Sequence, residues 1–599
     1  MRFSKTKTTL AAAALALTGA TQSAQANFDL TILHNNDGES ALLPNGNEGG
    51  IARFVDLVNQ QKQAATTVGS EWLMLSSGDN FLAGATWQAS VNDGVYYDAL
   101  ALQAIGYDAV VLGNHDFDFG PGVLSEFITA ANTGSATPYI SANLDFSGHA
   151  GLSQHVLDGT LSKSLVINKG GQQIGVVGAT TSMLSSISSP GVVTAGDVQT
   201  AVQAEIDNLT AGGVNKIIFV SHLQSINEDL DLIPMLTGVD IAIAGGGDEL
   251  LANVGDPLLP SDAGATPFGS YPIIASNGVP IVTTSGSYGY LGKLQITFDD
   301  DGNLLSVNDA ESLPVRNYGP DGLTPDQSIV DSIETPVSAF VADFDTQVIA
   351  TTDYVIDGTR ELVRTQETNA GNLIADALVY TASQLAADFG VDLDDHVVGI
   401  QNGGGIRNSV VITDGTFSRG EILNMLPFGN QVSIHEDLPV ELLLMALENA
   451  VSNVENVDGR FAQVSGLRFT YDPNATSGSR IVDVFLDGDF LIQIVDDGEV
   501  IVDGMVVDLV TNNFTLNDTD GYDWNGNGIQ DGVDYTELPV TYDQALATYL
   551  AEALNGHVGD PLLAYVPGGE GRITEVPSPA TIVAMLAGLV TLRRRRRSA

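Results

Sequence analysis

From Phe28 onward, short apolar runs alternate with longer stretches in which apolar residues recur every three or four positions. Leu30–Leu33, Trp72–Leu75, Ala109–Leu112, Lys216–Val220 and Ile241–Ala244 are compact, mostly apolar runs and predict buried strands. Between them, Gly50–Gln61 and Asn92–Ile105 carry helical spacing. Strands alternating with helices predict an α/β layered domain. Several strands run out into clusters of Asp, Asn, His and Gly, where open α/β sheets hold their ligands. The pattern restarts after the polar stretch Arg316–Asp331. Thr335–Val348 reads as a joining helix with Thr335 as N-cap and Pro336 in the first turn. Beyond Val355, Asn369–Tyr380 predicts a helix, and Val397–Gln401 and Val506–Thr511 predict strands. No period of 20–50 residues recurs, which argues against a solenoid.

Composition narrows the class. A chain of 599 residues predicts several domains, and 44% hydrophobic residues exclude a disordered acidic tail protein. The absence of cysteine excludes disulfides, a thiolate nucleophile and a thiolate-bound metal. A net charge of −51 argues against a nucleic acid polymer as partner, because phosphate backbones need Lys and Arg. Arg2, Lys5 and Lys7 precede the small, apolar run Leu10–Gly19 and then Ala24-Gln25-Ala26, so residues 1–26 predict a signal peptide. Residues 576–599 form a second address: Val576-Pro577-Ser578-Pro579, the apolar stretch Ala580–Leu592, then Arg593–Arg597. That stretch is short of the about 20 residues that span a bilayer. The arrangement resembles the bacterial Pro-Glu-Pro sorting signal read by an exosortase, with Ser578 where that family usually has Glu. It implies a membrane sorting enzyme as partner, and export to the periplasm, cell surface or extracellular matrix of a Gram-negative-type bacterium. A plain short tail anchor is the other reading. Eight of the 23 basic residues lie in the two ends, leaving 15 against 74 acidic groups between them, a net −59.

Five strand-end clusters stand out: His34-Asn35-Asn36-Asp37-Gly38-Glu39, Gly78-Asp79-Asn80, Gly113-Asn114-His115-Asp116-Phe117-Asp118, Ser221-His222 and Gly245-Gly246-Gly247-Asp248-Glu249. Asp, Asn and His at the ends of successive strands can converge on divalent metals. Two metals about 4 Å apart activate water and neutralise a phosphoryl group, with a carboxylate such as Asp79 as the bridge. His34 reads as a structural hydrogen-bonder.

The set resembles the calcineurin-like metallophosphoesterase signature, and specifically the secreted 5′-nucleotidase and 2′,3′-cyclic phosphodiesterase family. The resemblance implies metal ligation by Asp37, Asp79, Asn114 and His222 and a catalytic dyad of His115 and Asp118. In that dyad His115 would stabilise phosphoryl charge or aid the leaving group, and Asp118 would orient its ring. Glu39 stands where the family has His, and the family's Gly-His-x-His has become Gly245-Gly246-Gly247-Asp248. One site is then Asp37, Glu39, Asp79 and Asp248, all oxygen; the other keeps Asp79, Asn114 and His222. Two divalent ions among Mn, Ca, Mg, Fe or Zn are implied, with the all-oxygen set disfavouring Zn. Glu249 could replace Asp248 if the loop slips by one residue.

The second unit offers Arg360 and Arg364, then Glu367–Leu373, Asn402-Gly403-Gly404-Gly405-Ile406-Arg407 and Leu426-Pro427-Phe428-Gly429-Asn430. Three Arg beside a glycine-rich loop read as an anion site, with Arg supplying forked donors and Gly letting a ligand approach. These runs resemble the family's C-terminal domain. The resemblance implies phosphate contacts from Arg360, Arg364 and Arg407, with Asn402 and Gly404 in the same substrate wall. It further implies base stacking between Phe428 and Phe514, and ribose binding by Asp520. The family's Gly-Gly before that acid is missing here, which puts base preference in question. Asp523, Asn525, Asn527, Asp531 and Asp534 occupy positions 1, 3, 5, 9 and 12 of a loop with Gly528 at 6, an EF-hand-type calcium pattern.

The expected architecture is α/β: a four-layer αββα metallophosphoesterase domain over residues 27–315, a linker and hinge helix over 316–350, and an α/β substrate-binding domain over 351–575. The expected activity is hydrolysis of nucleotides, of 5′-nucleotidase or 2′,3′-cyclic phosphodiesterase type. A broad phosphomonoesterase or phosphodiesterase, or a non-catalytic surface nucleotide binder, remains as an alternative. Oligomeric state is left open.

Overall fold

The computed structural model describes residues 27–576 apart from 300, 394–395, 414, 489, 518, 529–532 and 560–564. The expected signal peptide, the C-terminal segment from 577 onward, and Asp531 lie outside the described residues. No helix among the described residues is long and apolar enough to cross a membrane.

The first unit is a sandwich of two sheets. One runs Leu304–Val307, Tyr290–Phe298, Phe28–Asn35, Glu71–Ser76, Ala109–Val111, Tyr139–Ile140 and Leu161–Ser162, with Leu313–Arg316 paired to the long second strand. The other runs Ile273–Ile274, Pro280–Val282, Ile241–Ile243, Ile217–His222, Gln172–Thr180 and Ser164–Lys169. The central strands of both are parallel. Period two explains the layers. Leu30, Ile32, Leu73, Leu75, Ala109 and Val111 point between the sheets and join Val176, Ile218, Val220 and Ile243 in one core. Leu33, Met74 and Val110 point outward, against Phe54, Leu102 and Phe127 of the covering helices Ile51–Thr67, Tyr97–Ile105 and Gly120–Ala131. Val202 and Ile206 of the helix Val198–Ala211 close the opposite face. Each such aliphatic side chain taken wholly from water contributes roughly 1.5–3 kcal/mol. This is the four-layer αββα arrangement expected.

Two expected elements differ. Asn92–Ile105 is not one helix: Ala85–Asp93 ends at Gly94 in the left-handed conformation (φ 65°), and Tyr97–Ile105 starts afresh. Thr335 is not an N-cap. The joining helix begins at Gln327, where the Asp326 carboxylate accepts the Ser328 N–H, and passes through a π-turn at Val330–Glu334 before Thr335–Thr346. The widened turn lies just ahead of Pro336, whose ring would crowd the carbonyl four residues back in a regular helix.

The second unit opens with the strand Val348–Thr352, which pairs with Thr416–Ser418 and His557–Val558. Its main sheet runs Ala462–Ser465, Val397–Asn402, Val506–Asn512, Gln431–Pro439 and Thr536–Thr541. The helices Asn369–Leu385 and Tyr542–Thr548 cover one face through Leu373, Leu378 and Leu546. Val440–Val451 and a second five-stranded sheet cover the other. Thr368 caps Asn369–Leu385, its hydroxyl accepting the Gly371 N–H at 3.0 Å.

Candidate active site

Every cluster expected to hold metal sits where a strand of the sandwich ends. Asp37 and Glu39 follow Phe28–Asn35, Asp79 follows Glu71–Ser76, Asn114 and His115 follow Ala109–Val111, His222 ends its strand, and Asp248 follows Ile241–Ile243. The backbone is bent to bring them together. Asp37, Glu39, Asp79 and Asp248 all have positive φ, at 50°, 47°, 51° and 55°. For residues other than glycine that costs of order 1–3 kcal/mol each, a strain typical of ligand clamps. The loops are laced to one another: Asp37 N–H donates to Gly78 O at 3.0 Å and Glu39 N–H to Asp79 O at 2.9 Å. Gly113 is required here, because a Cβ would fall on the Asp79 carboxylate.

His222 is fully buried and donates Nδ1–H to the Ser77 carbonyl at 2.6 Å. That fixes Nε2 toward Asp79 Oδ2 at 2.9 Å, Asn114 Oδ1 at 3.1 Å and Asp37 Oδ1 at 4.0 Å. Asp37, Asp79 and His222 offer ligand atoms within 4.8 Å of one another, and Glu39, Asp79 and His115 form a second such group. Asp79 belongs to both, the position of a bridging carboxylate. The grouping differs from the one read in sequence, since Asp37 stands with His222 as well as with the oxygen set. Asp248 is exposed, its Oδ1 accepting Gly286 N–H at 3.1 Å. Glu249 faces elsewhere and accepts from the Ser225 hydroxyl and the Ile226 N–H, at 3.0 and 3.1 Å.

Charge at this point is unbalanced in a way that favours cations. Burial raises the Asp37 pKa well above the carboxylate range, and Asp248, Asp79 and Glu39 push it further against the pull of His222. Burial brings Glu39 up to about 7, with Asp248 and Asp79 adding and His115 and Arg407 opposing. Burial also raises Asp79, but His222 and His115 outweigh it and hold its pKa low. Burial lowers His222, yet the Asp79 and Asp37 carboxylates carry it up to about 10. A proton on His222 thus supplies the positive charge that these carboxylates select. The donor set of buried carboxylates, an amide oxygen and an oriented imidazole fits divalent metal ions.

His115 donates Nδ1–H to Asp118 Oδ2 at 2.6 Å, and Ser188 Oγ donates to Asp118 Oδ1 at 2.9 Å. Burial lowers the His115 pKa, but Asp118 and Asp79 bring it up to about 9. Its Nε2 faces Arg407 of the second unit, with Nη2 at 3.2 Å. The Phe428 ring lies parallel to the His115 ring at 6.4 Å, under the Arg407 guanidinium at 5.5 Å. The two units therefore meet around one cavity of about 350 Å³. It is lined by Asp37, Glu39, Asp79, Asn114, His115, Asp118 and Asp248 from the first unit. Arg360, Arg364, Asn402, Gly404, Arg407, Phe428, Phe514 and Asp520 line it from the second. His222 lies beneath the floor.

The second unit's wall is basic. Arg364 is buried, and burial together with Arg407 and Arg360 lowers its pKa to about 9. Arg360 is lowered by burial and by Arg407 in the same way. Three like charges held this close are complementary to a phosphate-sized anion. Asp520 has φ 53° and accepts Asn402 Nδ2–H at 2.5 Å, with Gly404 packed beside it. The Glu367–Asn372 motif is structural instead. The Glu367 carboxylate accepts the Asn372 side chain at 2.8 Å and the Gly571 N–H at 3.0 Å.

Sequence reasoning missed four supporting residues. Asn36 donates to Asp37 Oδ2 at 2.5 Å and to Thr284 O at 2.8 Å, so it aims the carboxylate beside it. Asp116 is buried and accepts the Gly113 N–H at 2.8 Å, and burial lifts its pKa to about 7. Ser188 approaches from a segment with no metal-ligating pattern, and Gln224 from just beyond the Ser221-His222 cluster. Adjacency to Asp37 and Asn114 could have drawn attention to Asn36 and Asp116; nothing in sequence marks Ser188. His34 is the structural hydrogen-bonder expected, its Nε2 2.8 Å from the Tyr271 hydroxyl.

In the candidate calcium loop, Asp523 is half-buried and Asn525, Asn527 and Asp534 are exposed. Asp523 accepts the Asn527 and Gly528 N–H groups at 3.2 and 2.8 Å.

The family model "5′-nucleotidase, C-terminal domain" matches residues 348–526. The 5′-nucleotidase of Bos taurus is 30% identical over 76% of this chain and 77% of its own length. The "Trifunctional nucleotide phosphoesterase protein YfkN" of Bacillus subtilis is 29% identical over 83% of this chain. The match covers only 32% of that longer relative. A solved 5′-nucleotidase precursor from Thermus thermophilus superposes with a TM-score of 0.73 at 30% identity, over 92% of this chain and all of its own. Joined to the four-layer sandwich and the cavity between units, these likenesses carry one conclusion: the chain belongs to the 5′-nucleotidase family of phosphoester hydrolases.

Proposed function

We propose that the protein is an exported, metal-dependent phosphoesterase acting on nucleotides, of 5′-nucleotidase or 2′,3′-cyclic phosphodiesterase type. The observation that carries this reading is the shared cavity. Its carboxylate floor and its arginine wall converge where Arg407 Nη2 stands 3.2 Å from His115 Nε2. Asp37, Glu39, Asp79, Asn114, His222 and Asp248 would hold two divalent ions. When bound, such ions supply Lewis-acid charge and acidify water.

The chain's own residues do the rest. Arg360, Arg364 and Arg407 bind the phosphoryl oxygens and orient them toward the floor. Asp118 holds the Nδ1 proton of His115 and so aims Nε2, which faces Arg407 Nη2 at 3.2 Å, at the place a phosphoryl or leaving-group oxygen would take. Phe428 and Phe514 stack the base, and Asp520 with Asn402 receives the ribose hydroxyls. The residues 27–315 act as the catalytic lobe and 351–575 as the substrate lobe. The helix ending at Thr346 serves as their hinge, and the loop from Asp523 to Asp534 takes calcium. Export rests on the charged, apolar and Ala-x-Ala order of residues 1–26. A sorting enzyme at the membrane rests on the order of features in 576–599.

The test is turnover of AMP, a 2′,3′-cyclic nucleotide and p-nitrophenyl phosphate under Mn, Ca, Mg, Fe and Zn in turn. Nucleotide turnover well above that of the nitrophenyl ester supports the reading. Equal turnover of all three would make it a broad phosphoesterase. Nucleotide binding without turnover under any metal would refute catalysis.

A further inference from the structure

Gln224 follows the buried His222 by two residues and has φ 82°, a left-handed backbone that a glutamine adopts only at a cost. That conformation turns its side chain into the cleft. Its Nε2 lies 2.5 Å from Asn114 Oδ1, the same amide oxygen that stands 3.1 Å from His222 Nε2. Ligands sharing one ion at about 2.1 Å are spaced about 3 Å apart. Asn114 Oδ1 therefore stands within ligand spacing of both His222 Nε2 and the tip of Gln224. An amide presents either of its two ends by a half-turn of its last bond. The end that faces Asn114 as a donor can face a cation as an oxygen.

A second observation concerns the opposite loop. Gly246 has φ 90°, and its N–H donates to Asp37 Oδ2 at 3.0 Å. A Cβ on Gly246 would lie 2.8 Å from Gln224 N and 3.0 Å from His222 Nε2. No side chain at 246 shares that space with Gln224. The bare Gly246 thus lets the Gln224 backbone and the His222 ring come close at one corner.

We propose that Gln224 is an oxygen ligand of the metal site built on Asp79, Asn114 and His222, held there through the strain at its own backbone and the bareness of Gly246. The inference rests on the two-metal reading above. It extends the oxygen-rich character of the first site to the second, leaving His222 as the site's one imidazole.

The experiment is Mn²⁺ titration by calorimetry of the full chain after chelation, comparing wild type with Gln224→Ala and Gln224→Glu. Unchanged circular dichroism and Tm serve as the folding check. Wild type is expected to bind two ions. Gln224→Ala should leave one site unchanged and weaken the other by about 10–100-fold. Gln224→Glu, which can offer only oxygen, should recover or exceed wild-type affinity. If Gln224 merely donates a hydrogen bond to Asn114, the glutamate sets a carboxylate against a carbonyl oxygen, and both variants weaken together. That result overturns the proposal, as does an unchanged Gln224→Ala. Failure of wild type to bind two ions would instead overturn the metal reading itself.

Discussion

The strand-end cleft and the loop that opens at Asp523 are written in the same letters, Asp, Asn and Gly, and both read as cation sites. Folded, they obey different physics. In the cleft, Asp37, Asp79 and His222 are buried, and neighbouring carboxylates add to burial in raising the Asp37 pKa. Bringing like charges together out of water is unfavourable unless a cation or proton offsets it. In the loop, the donors stand in or near water, and the Asp523 carboxylate is already used by the N–H groups of Asn527 and Gly528. A loop laced by its own side chain in that way closes without any ion. Oxygen count alone therefore does not separate a catalytic centre from a structural clip. Burial against like charge does.

The comparison breaks most decisively at the shared carboxylate. Asp79→Ala removes a ligand atom from both metal groups and the acceptor of the His115 N–H at 2.8 Å. We expect kcat/KM for AMP to fall by about 10³-fold or more, the several kcal/mol that metal charge supplies. Thermal stability in chelator should fall, because buried His222 loses the carboxylate that offsets it and the His115 N–H loses its acceptor. Retained turnover would remove the cleft from the mechanism.

A smaller effect is expected at the dyad. Asp118→Asn takes the fixed negative partner from His115 Nδ1, at 2.6 Å, and with it the main opposition to burial. The His115 pKa should drop below about 9, so the protonated ring is lost at lower pH. Activity carried by that proton should fall about 10²-fold at pH 8, and the alkaline limb of the pH profile should move to lower pH. An unshifted limb would assign it to another group.

Smaller still is the substrate wall. Phe428→Ala should raise KM for AMP by about 5–150-fold, the 1–3 kcal/mol of a lost stacking face. KM for p-nitrophenyl phosphate should move far less. Equal changes for both substrates would mean that Phe428 acts by packing on His115 and Arg407, which it also touches.

How far the fold could be read ahead of time follows from which interactions are local. The strands were legible as compact apolar runs, because each face of Leu73-Met74-Leu75 sees a different core. The strand-end clusters were legible too, since a ligand loop must follow its strand directly. Two of the misses are local and two depend on distant chain. Gly94 splits a helix that periodicity alone runs together, because apolar spacing continues across it. The joining helix starts eight residues earlier than its apparent cap, at Gln327, because a π-turn absorbs the problem posed by Pro336. Ser188 reaches Asp118 across 70 residues, and nothing in its own neighbourhood announces it. Gln224 lies just past His222, yet its meaning depends on Asn114 and Gly246, on the loops of two other strands.

The smallest expected effect tests the other side of the comparison. If the Asp523 loop binds calcium with the weak affinity of extracellular modules, Kd of about 10⁻⁴–10⁻³ M, then 10 mM calcium stabilises its domain by roughly 1.4–2.7 kcal/mol. For a unit of this size that is a Tm rise of about 3–10 °C. Asp523→Ala should abolish the calcium-dependent rise while leaving AMP turnover within about twofold, because the residue lies outside the cavity lining. The difference between Tm with and without calcium is the quantity to read. The baseline itself will fall, since the turn that Asp523 closes onto Asn527 and Gly528 is lost in either condition. A wild-type Tm that ignores calcium would mean the loop is held by its own backbone alone, and that exposed oxygens at the right spacing are not enough to make a site.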